Sequence, residues 1–323
     1  MAKVVCTSYV FPEEIGRLEA AGHRVVGPES EAPLPRARWI AELSDADALV
    51  CLLTDRVDRE ALRAGRSLRI VANVAVGYEN VDVDVDAARE RGIVVTNTPD
   101  VLTEATADLT FALLLGAARR IAEADAAVRR GAFPAWGLDQ ALTGSDVHGK
   151  TLGIVGMGRI GTAVARRGRL GFGMEVLYHN RSRNEAAEAE LSAAWVPFDE
   201  LLAESDVVCV HVPLSDETHH LFGREAFARM KPSVILVNVA RGPVVDEEAL
   251  VDALASGAIA GAGLDVYERE PAVHPGLIAL TERVVLAPHL GSATRETRRA
   301  MARLAVDNVL AVLAGRDAIT PVS

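Results

Sequence analysis

The segment Thr151–Gly161, TLGIVGMGRIG, constrains the fold of this chain more than any other. Residues 151–155 read as an apolar strand. Gly156, Gly158 and Gly161 then form G-x-G-x-x-G, and a helical pattern follows from Ile160 to Leu170. Strand, glycine turn and helix in that order are the context in which this spacing binds a dinucleotide. Gly156 permits a tight turn, Gly158 lets the backbone approach a pyrophosphate, and Gly161 lets the helix pack closely on the strand. The helix N-terminus supplies N–H donors and partial positive charge to the phosphates. About 150 residues precede the loop, room for another domain.

Composition agrees with two α/β domains. The 323 residues are 50% hydrophobic but only 4% aromatic, so the apolar content is mostly Ala, Val and Leu. That suits parallel sheets covered on both faces by helices. The net charge of −11 argues against a nucleic-acid partner. No window approaches the roughly 18 apolar residues of a membrane span. The N-terminus enters a strand at once, without a signal-peptide layout. Cys6, Cys51 and Cys209 each fall in an apolar run. Buried free thiols in a reducing cytoplasm are the expectation.

The first hundred residues alternate strand and helix. Strands are expected at Lys3–Ser8, Ala48–Leu53, Ile70–Asn73 and Val94–Thr96, with helices at Pro12–Ala21, Asp58–Ala64 and Val83–Arg91. This is the pattern of a parallel sheet. After Thr98-Pro99-Asp100 a long Ala- and Leu-rich helix runs about Thr103–Arg130, expected to serve both as core and as a subunit interface. An irregular stretch, Gly131–Gly149, carries Trp136. Further strands are expected at Glu175–His179, Asp206–Val212, Val234–Val239, Ala262–Val266 and Val284–Ala287, and a last helix at Ala293–Ala314. The expected division is discontinuous: residues 1–99 plus 290–323 form one domain, and residues 100–289 the dinucleotide domain. A ligand cleft is expected between them.

Three segments place polar residues after apolar strands: VNVARG (237–242), GLDVYEREP (263–271) and APHLGSAT (287–294). In doubly wound sheets the carboxyl ends of the strands form the ligand edge. Arg241 offers a permanent cation with a fork suited to a carboxylate. His289 can deliver a proton near neutral pH, and Glu270 could pair with it. Together they suit reduction of a 2-keto acid: Arg241 holds the carboxylate and carbonyl oxygen, and His289 protonates that oxygen as hydride arrives at carbon.

The ordered set G-M-G-R-I-G, H-V-P-L, N-V-A-R-G, L-D-V-Y-x-x-E-P and P-H-L-G-S-A-T closely resembles the D-isomer-specific 2-hydroxyacid dehydrogenase family, and within it the glyoxylate/hydroxypyruvate reductases. N-V-A-V-G-Y-E-N-V-D (73–82) extends the resemblance into the first domain. It implies a Rossmann dinucleotide-binding domain and a flavodoxin-like substrate domain, both doubly wound parallel sheets. It implies Arg241 as the substrate-binding arginine, Glu270 as the acid paired with histidine, and His289 as the proton donor. It implies Ala75, Val76 and Gly77 as the loop whose N–H groups hold the substrate carboxylate, and Asp265 as a carboxylate near the nicotinamide amide. A homodimer built through the helix after residue 100 is implied too. Trp136 resembles an aromatic that glyoxylate reductases contribute to the neighbouring site; an ordinary interface aromatic is the alternative. Leu53 and Ser292 complete the expected substrate contacts. Expected coenzyme contacts are Val76, Thr106, Gly156, Gly158, Arg159, Ile160, Gly161, Asn180, Arg181, Ser182, Val212, Pro213, Thr218, Val239, Ala240, Arg241, Asp265, His289 and Gly291.

The coenzyme is expected to be NADP(H), with NAD(H) possible. NAD-specific sites carry Asp or Glu about 20 residues past the glycines. Here Tyr178-His179-Asn180 is followed by Arg181-Ser182-Arg183, with no acid. A carboxylate there would repel a 2′-phosphate, whereas Arg181, with Arg183 as a second candidate, would pair with it.

Other candidates read blandly. Adjacent His219 and His220 on a helix would point apart, so no metal site is expected. His211 is expected to line the coenzyme cleft. Asp82, Asp84 and Asp86 suit a helix start better than a calcium loop. Rivals are a related dehydrogenase acting on another small 2-keto acid and a dinucleotide-sensing corepressor. A phosphoglycerate enzyme would commonly add a C-terminal domain, a phosphite enzyme would place lysine at Val76, and a formate enzyme glutamine at Glu270.

Overall fold

The computed structural model describes residues 1–30, 32–77 and 84–322. It divides into two compact units, Met1–Leu102 with Thr294–Ser323, and Thr103–Ala293.

The first unit is a five-stranded parallel sheet: β1 (Lys3–Cys6), β2 (Arg24–Val26), β3 (Ala48–Cys51), β4 (Ile70–Asn73) and β5 (Val94–Thr96), in the order β2-β1-β3-β4-β5. This is the flavodoxin-like order. Strand β2, which the sequence reading omits, is three residues long and partly exposed, so it carries no continuous apolar run. Strands β1 and β3 end two residues earlier than expected, because Thr7–Ser8 and Leu52–Leu53 already belong to the turns that follow. Asp84 caps the helix Val85–Glu90 by accepting from the Ala87 N–H at 2.8 Å. Asp82 and the expected helix start at Val83 lie outside the described residues.

The second unit holds seven parallel strands: β6 (Thr151–Val155), β7 (Glu175–His179), β8 (Ala194–Trp195), β9 (Val207–Val210), β10 (Ile235–Asn238), β11 (Gly261–Leu264) and β12 (Val284–Leu286). Their order is β12-β11-β10-β9-β6-β7-β8, a Rossmann sheet whose direction of winding reverses between β6 and β9. Side chains alternate between two buried cores. Leu152, Ile154, Cys209 and Val237 face one, while Val155, Val208, Val210 and Leu236 face the other. Covering both faces explains why these strands read as unbroken apolar runs. The three cysteines are free and buried, and burial pushes the Cys6 thiol up to about 12.

The expected single helix Thr103–Arg130 is two helices, Thr103–Ala118 and Ile121–Arg129. Arg120 adopts φ +52° and breaks the run. Its guanidinium bonds Glu123 at 2.8 and 2.9 Å and also reaches the Ala141 carbonyl. The break comes where Leu- and Ala-rich sequence gives way to Arg119-Arg120. The first helix is core: Phe111, Leu113 and Leu114 are buried, and a Cβ on Gly263 would lie 2.8 Å from Leu113.

Candidate active site

The glycine turn has the expected geometry for stated reasons. Gly156 sits at φ +102°, and a Cβ there would lie 2.6 Å from the His211 backbone. The turn therefore abuts the end of β9, at the switch point of the sheet. A Cβ on Gly161 would collide with the Gly156 carbonyl, so the helix Arg159–Arg166 packs closer to β6 than any side chain allows. Gly158 meets nothing within 4 Å, which leaves its outer side open to a ligand. It is the N-cap of that helix and, having no side chain, supplies no side-chain cap, which suits the helix N-terminus to an anionic ligand. These observations fit a dinucleotide pyrophosphate.

The loop is also pinned by amides. Met157 N–H donates to Asn180 Oδ1 at 2.6 Å, and Asn184 Nδ2 donates to the Met157 carbonyl at 2.9 Å. Asn180 thus holds the glycine turn with its side-chain oxygen. Arg183, the second candidate for a 2′-phosphate, pairs with Glu188 at 2.6 and 2.9 Å. Arg181 and Ser182 are exposed. Val212 and Pro213 follow β9, where Thr218 closes the turn by donating to the Pro213 carbonyl at 2.7 Å. His211 Nε2 is buried without a partner, and burial pushes the imidazole down to about 3.

Arg241, Glu270 and His289 follow β10, β11 and β12, three adjacent parallel strands, so all lie at one sheet edge. Asn238 shapes the first turn. Its Nδ2 donates to the Arg241 carbonyl at 3.0 Å and its Oδ1 accepts from Ala240 N–H at 3.0 Å. Val239 is buried behind this turn. A Cβ on Gly242 would collide with the Tyr267 backbone, so the Arg241 turn and the Tyr267–Glu270 loop are in direct contact. His289 Nδ1 donates to Glu270 Oε2 at 2.8 Å, while Glu270 Oε1 accepts from Tyr267 N–H at 3.0 Å. Burial alone would raise the Glu270 carboxyl. The His289 hydrogen bond, with the Tyr267 N–H and the Arg241 charge, outweighs it and holds the carboxyl below its usual range.

His289 is held at φ +55°, a left-handed conformation that costs a non-glycine residue about 1–3 kcal/mol. Asp265 over-determines it. The Asp265 carbonyl accepts from His289 N–H at 2.8 Å, and its two carboxylate oxygens accept from Leu290 and Gly291 N–H at 2.6 and 2.8 Å. Asp265 is buried, and burial raises its carboxyl against the pull of those two donors. Thr106 donates to the Gly291 carbonyl at 3.1 Å, and Ser292 is half-buried beside it. Asp265 and Thr106, expected near the coenzyme, therefore spend these groups on the histidine loop.

In the first unit, Ala75, Val76 and Gly77 form the turn after β4. Each of their carbonyls is taken: Thr98 N–H donates to Ala75 at 2.8 Å, Asn97 Nδ2 to Val76 at 2.8 Å, and Asn73 Nδ2 to Gly77 at 2.9 Å. Among the described residues, none accepts from the N–H groups of these three residues. Leu53 is half-buried in the turn after β3, which Asp55 closes by accepting from Leu52 N–H at 2.8 Å. Sequence reading missed Asn73, Asn97 and Asn238. The available signal was an asparagine ending an apolar strand, where no side chain of that polarity is needed for packing.

Trp136 is 83% exposed, in the stretch before β6. His219 and His220 are not on a helix. They lie in a turn, their rings stack at 4.0 Å, and His220 Nε2 is 3.0 Å from Glu268. Among the described residues, no group of three or more His, Cys, Asp or Glu could hold a metal, and no helix is long and apolar enough to cross a membrane.

Residues 111–291 match the family profile described as D-isomer specific 2-hydroxyacid dehydrogenase, NAD binding domain. A glyoxylate reductase of Korarchaeum cryptofilum is 53% identical over 287 residues, covering 89% of this chain and 86% of its own. A crystal structure of a Thermus thermophilus protein superposes with a TM-score of 0.92 at 46% identity, covering 99% of this chain and 100% of that one. The crystal structure of an NADPH-dependent glyoxylate/hydroxypyruvate reductase from Sinorhizobium meliloti gives a TM-score of 0.86 at 36% identity, covering 100% and 97%. With the sheet order, the glycine turn and the Arg241–Glu270–His289 edge, these likenesses establish that the chain belongs to the D-isomer-specific 2-hydroxyacid dehydrogenase family of oxidoreductases.

Proposed function

We propose that the protein reduces glyoxylate to glycolate and hydroxypyruvate to D-glycerate, with NADPH as the preferred reductant. The observation that carries the reading is the His289 Nδ1–Glu270 Oε2 hydrogen bond at 2.8 Å on the edge that also carries Arg241. With Nδ1–H given to Glu270, Nε2 is the atom left to hold the transferable proton. Protonated His289 donates it to the substrate's carbonyl oxygen, while Arg241 pairs with the carboxylate and polarises the carbonyl. The nicotinamide, when bound, supplies the hydride that completes the reduction. The N–H groups of Ala75, Val76 and Gly77 hold the carboxylate. The absence of an acid at Asn180–Arg183 supports NADPH, as does Arg181, exposed with no hydrogen bond or ion pair among the described residues. The name of the Sinorhizobium relative points the same way.

A homodimer is part of the same proposal. Ile121, Val128, Phe133, Trp136, Leu138 and Ile278 are all large, apolar and more than half exposed. A pocket of about 300 Å³ lined by Ala126, Leu277, Ile278 and Leu286 lies among them. Sedimentation of the wild-type chain at twice the monomer mass is the expected result, and a monomer at micromolar concentration would remove this part.

The test of activity is loss of NADPH absorbance with a panel of 2-keto acids, repeated with NADH. Turnover should be fastest with glyoxylate or hydroxypyruvate and NADPH. Tight dinucleotide binding with no turnover would leave a sensing module instead. His289→Ala should lower kcat by about 10²–10⁴-fold and leave NADPH affinity nearly intact. Lost coenzyme binding would refute the proton-donor role.

A further inference from the structure

We propose that Asn97 is a positioning residue for the substrate carboxylate and that the chain's C-terminal segment sets its position. This rests on the reading of Ala75–Gly77 as the carboxylate cradle. In a planar trans peptide the C=O and the following N–H point in opposite directions. Fixing the Ala75 carbonyl on Thr98 N–H therefore turns the Val76 N–H away from Thr98, and fixing the Val76 carbonyl on Asn97 Nδ2 turns the Gly77 N–H away from Asn97. Two successive N–H groups left without an acceptor among the described residues are the elements from which an anion-binding concavity is built. The aim of the second donor depends on one side-chain amide.

The backbone that carries that side chain is held from far away in sequence. The Asn97 N–H donates to the Thr320 carbonyl at 3.3 Å, and Thr320 Oγ1 donates to the Asn97 carbonyl at 2.6 Å. Thr320 Oγ1 in turn accepts from Asn308 Nδ2 at 2.9 Å, and Asn308 Oδ1 accepts from the N–H groups of Ile319 and Thr320 at 2.9 and 3.0 Å. Asn308 is wholly buried in the helix Arg295–Leu313. Val322 N–H donates to the Val95 carbonyl at 2.8 Å and seals the segment beside β5. The relay runs from Asn308 through Thr320 and Asn97 to the Val76 carbonyl, without a charged group in it.

The test uses the full-length chain with Asn97→Ala and Thr320→Val. Loss of one directed hydrogen bond should raise KM for glyoxylate about tenfold in Asn97→Ala. The remote Thr320→Val, which removes only the hydroxyl, should raise it about two- to threefold. In both, kcat and NADPH affinity should stay within about twofold, since neither residue touches the reacting atoms. Wild-type amide NMR with oxalate as the carboxylate probe separates the two readings. If the Val76 and Gly77 amides do not shift, the cradle itself falls. If they shift in the wild type and folded Asn97→Ala keeps its KM, the cradle stands and the role of Asn97 falls. Should Asn97→Ala fail to fold, an unchanged KM in Thr320→Val overturns the proposal. Equal losses of kcat and NADPH affinity in either variant would mark general loosening and overturn it too.

Discussion

The turn after β6 and the turn after β4, each proposed to hold an anion, are built by opposite means. Both end a buried parallel strand, and both present backbone N–H groups of the kind that hold anions. The glycine turn works by omission: Gly156 and Gly161 remove side chains that would strike His211 or the Gly156 carbonyl, and Gly158 leaves its outer side open. The Ala75–Gly77 turn works by addition, with Asn73, Asn97 and Thr98 supplying donors that hold its carbonyls. Each has a buried polar atom without a partner beside it, His211 Nε2 in one case and Asn73 Oδ1 in the other. A buried unpaired polar group costs about 1–3 kcal/mol. Neither turn is therefore optimised for stability alone.

Gly161→Ala is the most direct way to break the comparison. The added methyl cannot avoid the Gly156 carbonyl, and Ile154 Cγ2 lies 3.0 Å away, so the helix must lift from β6. We expect NADPH affinity to fall about a hundredfold or more, about 2.7 kcal/mol, with thermal stability lowered by about 1–3 kcal/mol from overpacking. Gly158→Ala supplies the contrast, because its Cβ meets nothing: affinity should drop with the melting temperature unchanged. If both variants bind NADPH normally by fluorescence titration, the omission argument is wrong.

The His211 imidazole beside the glycine turn, half-buried with its Nε2 sealed from solvent, gives the next largest effect. The folded-state value of His211 lies near 3, against about 6.5 when unfolded. As pH falls below about 6.5, the unfolded chain takes up this proton first, so stability is full above that value and is lost progressively toward pH 3. By pH 5 this one group should cost about 2 kcal/mol. His211→Leu should flatten the acid side of the stability curve by that amount in chemical denaturation. An unchanged pH slope would show that the ring is solvated in the folded state.

The two mechanisms also differ in how much of them a sequence discloses. Glycines at 156, 158 and 161 act on their immediate neighbours, so their spacing alone declares the turn. The edge bearing Arg241, Glu270 and His289 was legible for a related reason: each residue lies in a polar segment that follows an apolar strand. Asn97 depends on Thr320, 223 residues away, and no local pattern encodes that pairing. Likewise Arg120, at the helix break, bonds the Ala141 carbonyl 21 residues on, and β8 is too short and exposed to carry a period. Asp265 was singled out through the family resemblance alone, and its part in holding His289 at φ +55° became visible only with Leu290 and Gly291 folded onto it.

The smallest effect concerns what backbone N–H groups cannot do. They receive any phosphate, so the proposed choice of NADPH over NADH must rest on a side chain. Arg181 and Arg183 are both exposed and both cationic, yet they are not equivalent. Arg183 spends its fork on Glu188, while Arg181 makes no hydrogen bond or ion pair among the described residues. Arg181→Ala should therefore weaken NADPH about tenfold at low salt, the lower end for a charge-assisted contact. The NADH affinity should hardly move. Because the site is exposed, the loss should shrink as ionic strength rises toward 0.5 M. Arg183→Ala should leave the NADPH-to-NADH ratio alone. A larger ratio change in Arg183→Ala than in Arg181→Ala, measured by titration with both coenzymes, would mean that coenzyme binding breaks the Glu188 pair and that the reader of the third phosphate is Arg183.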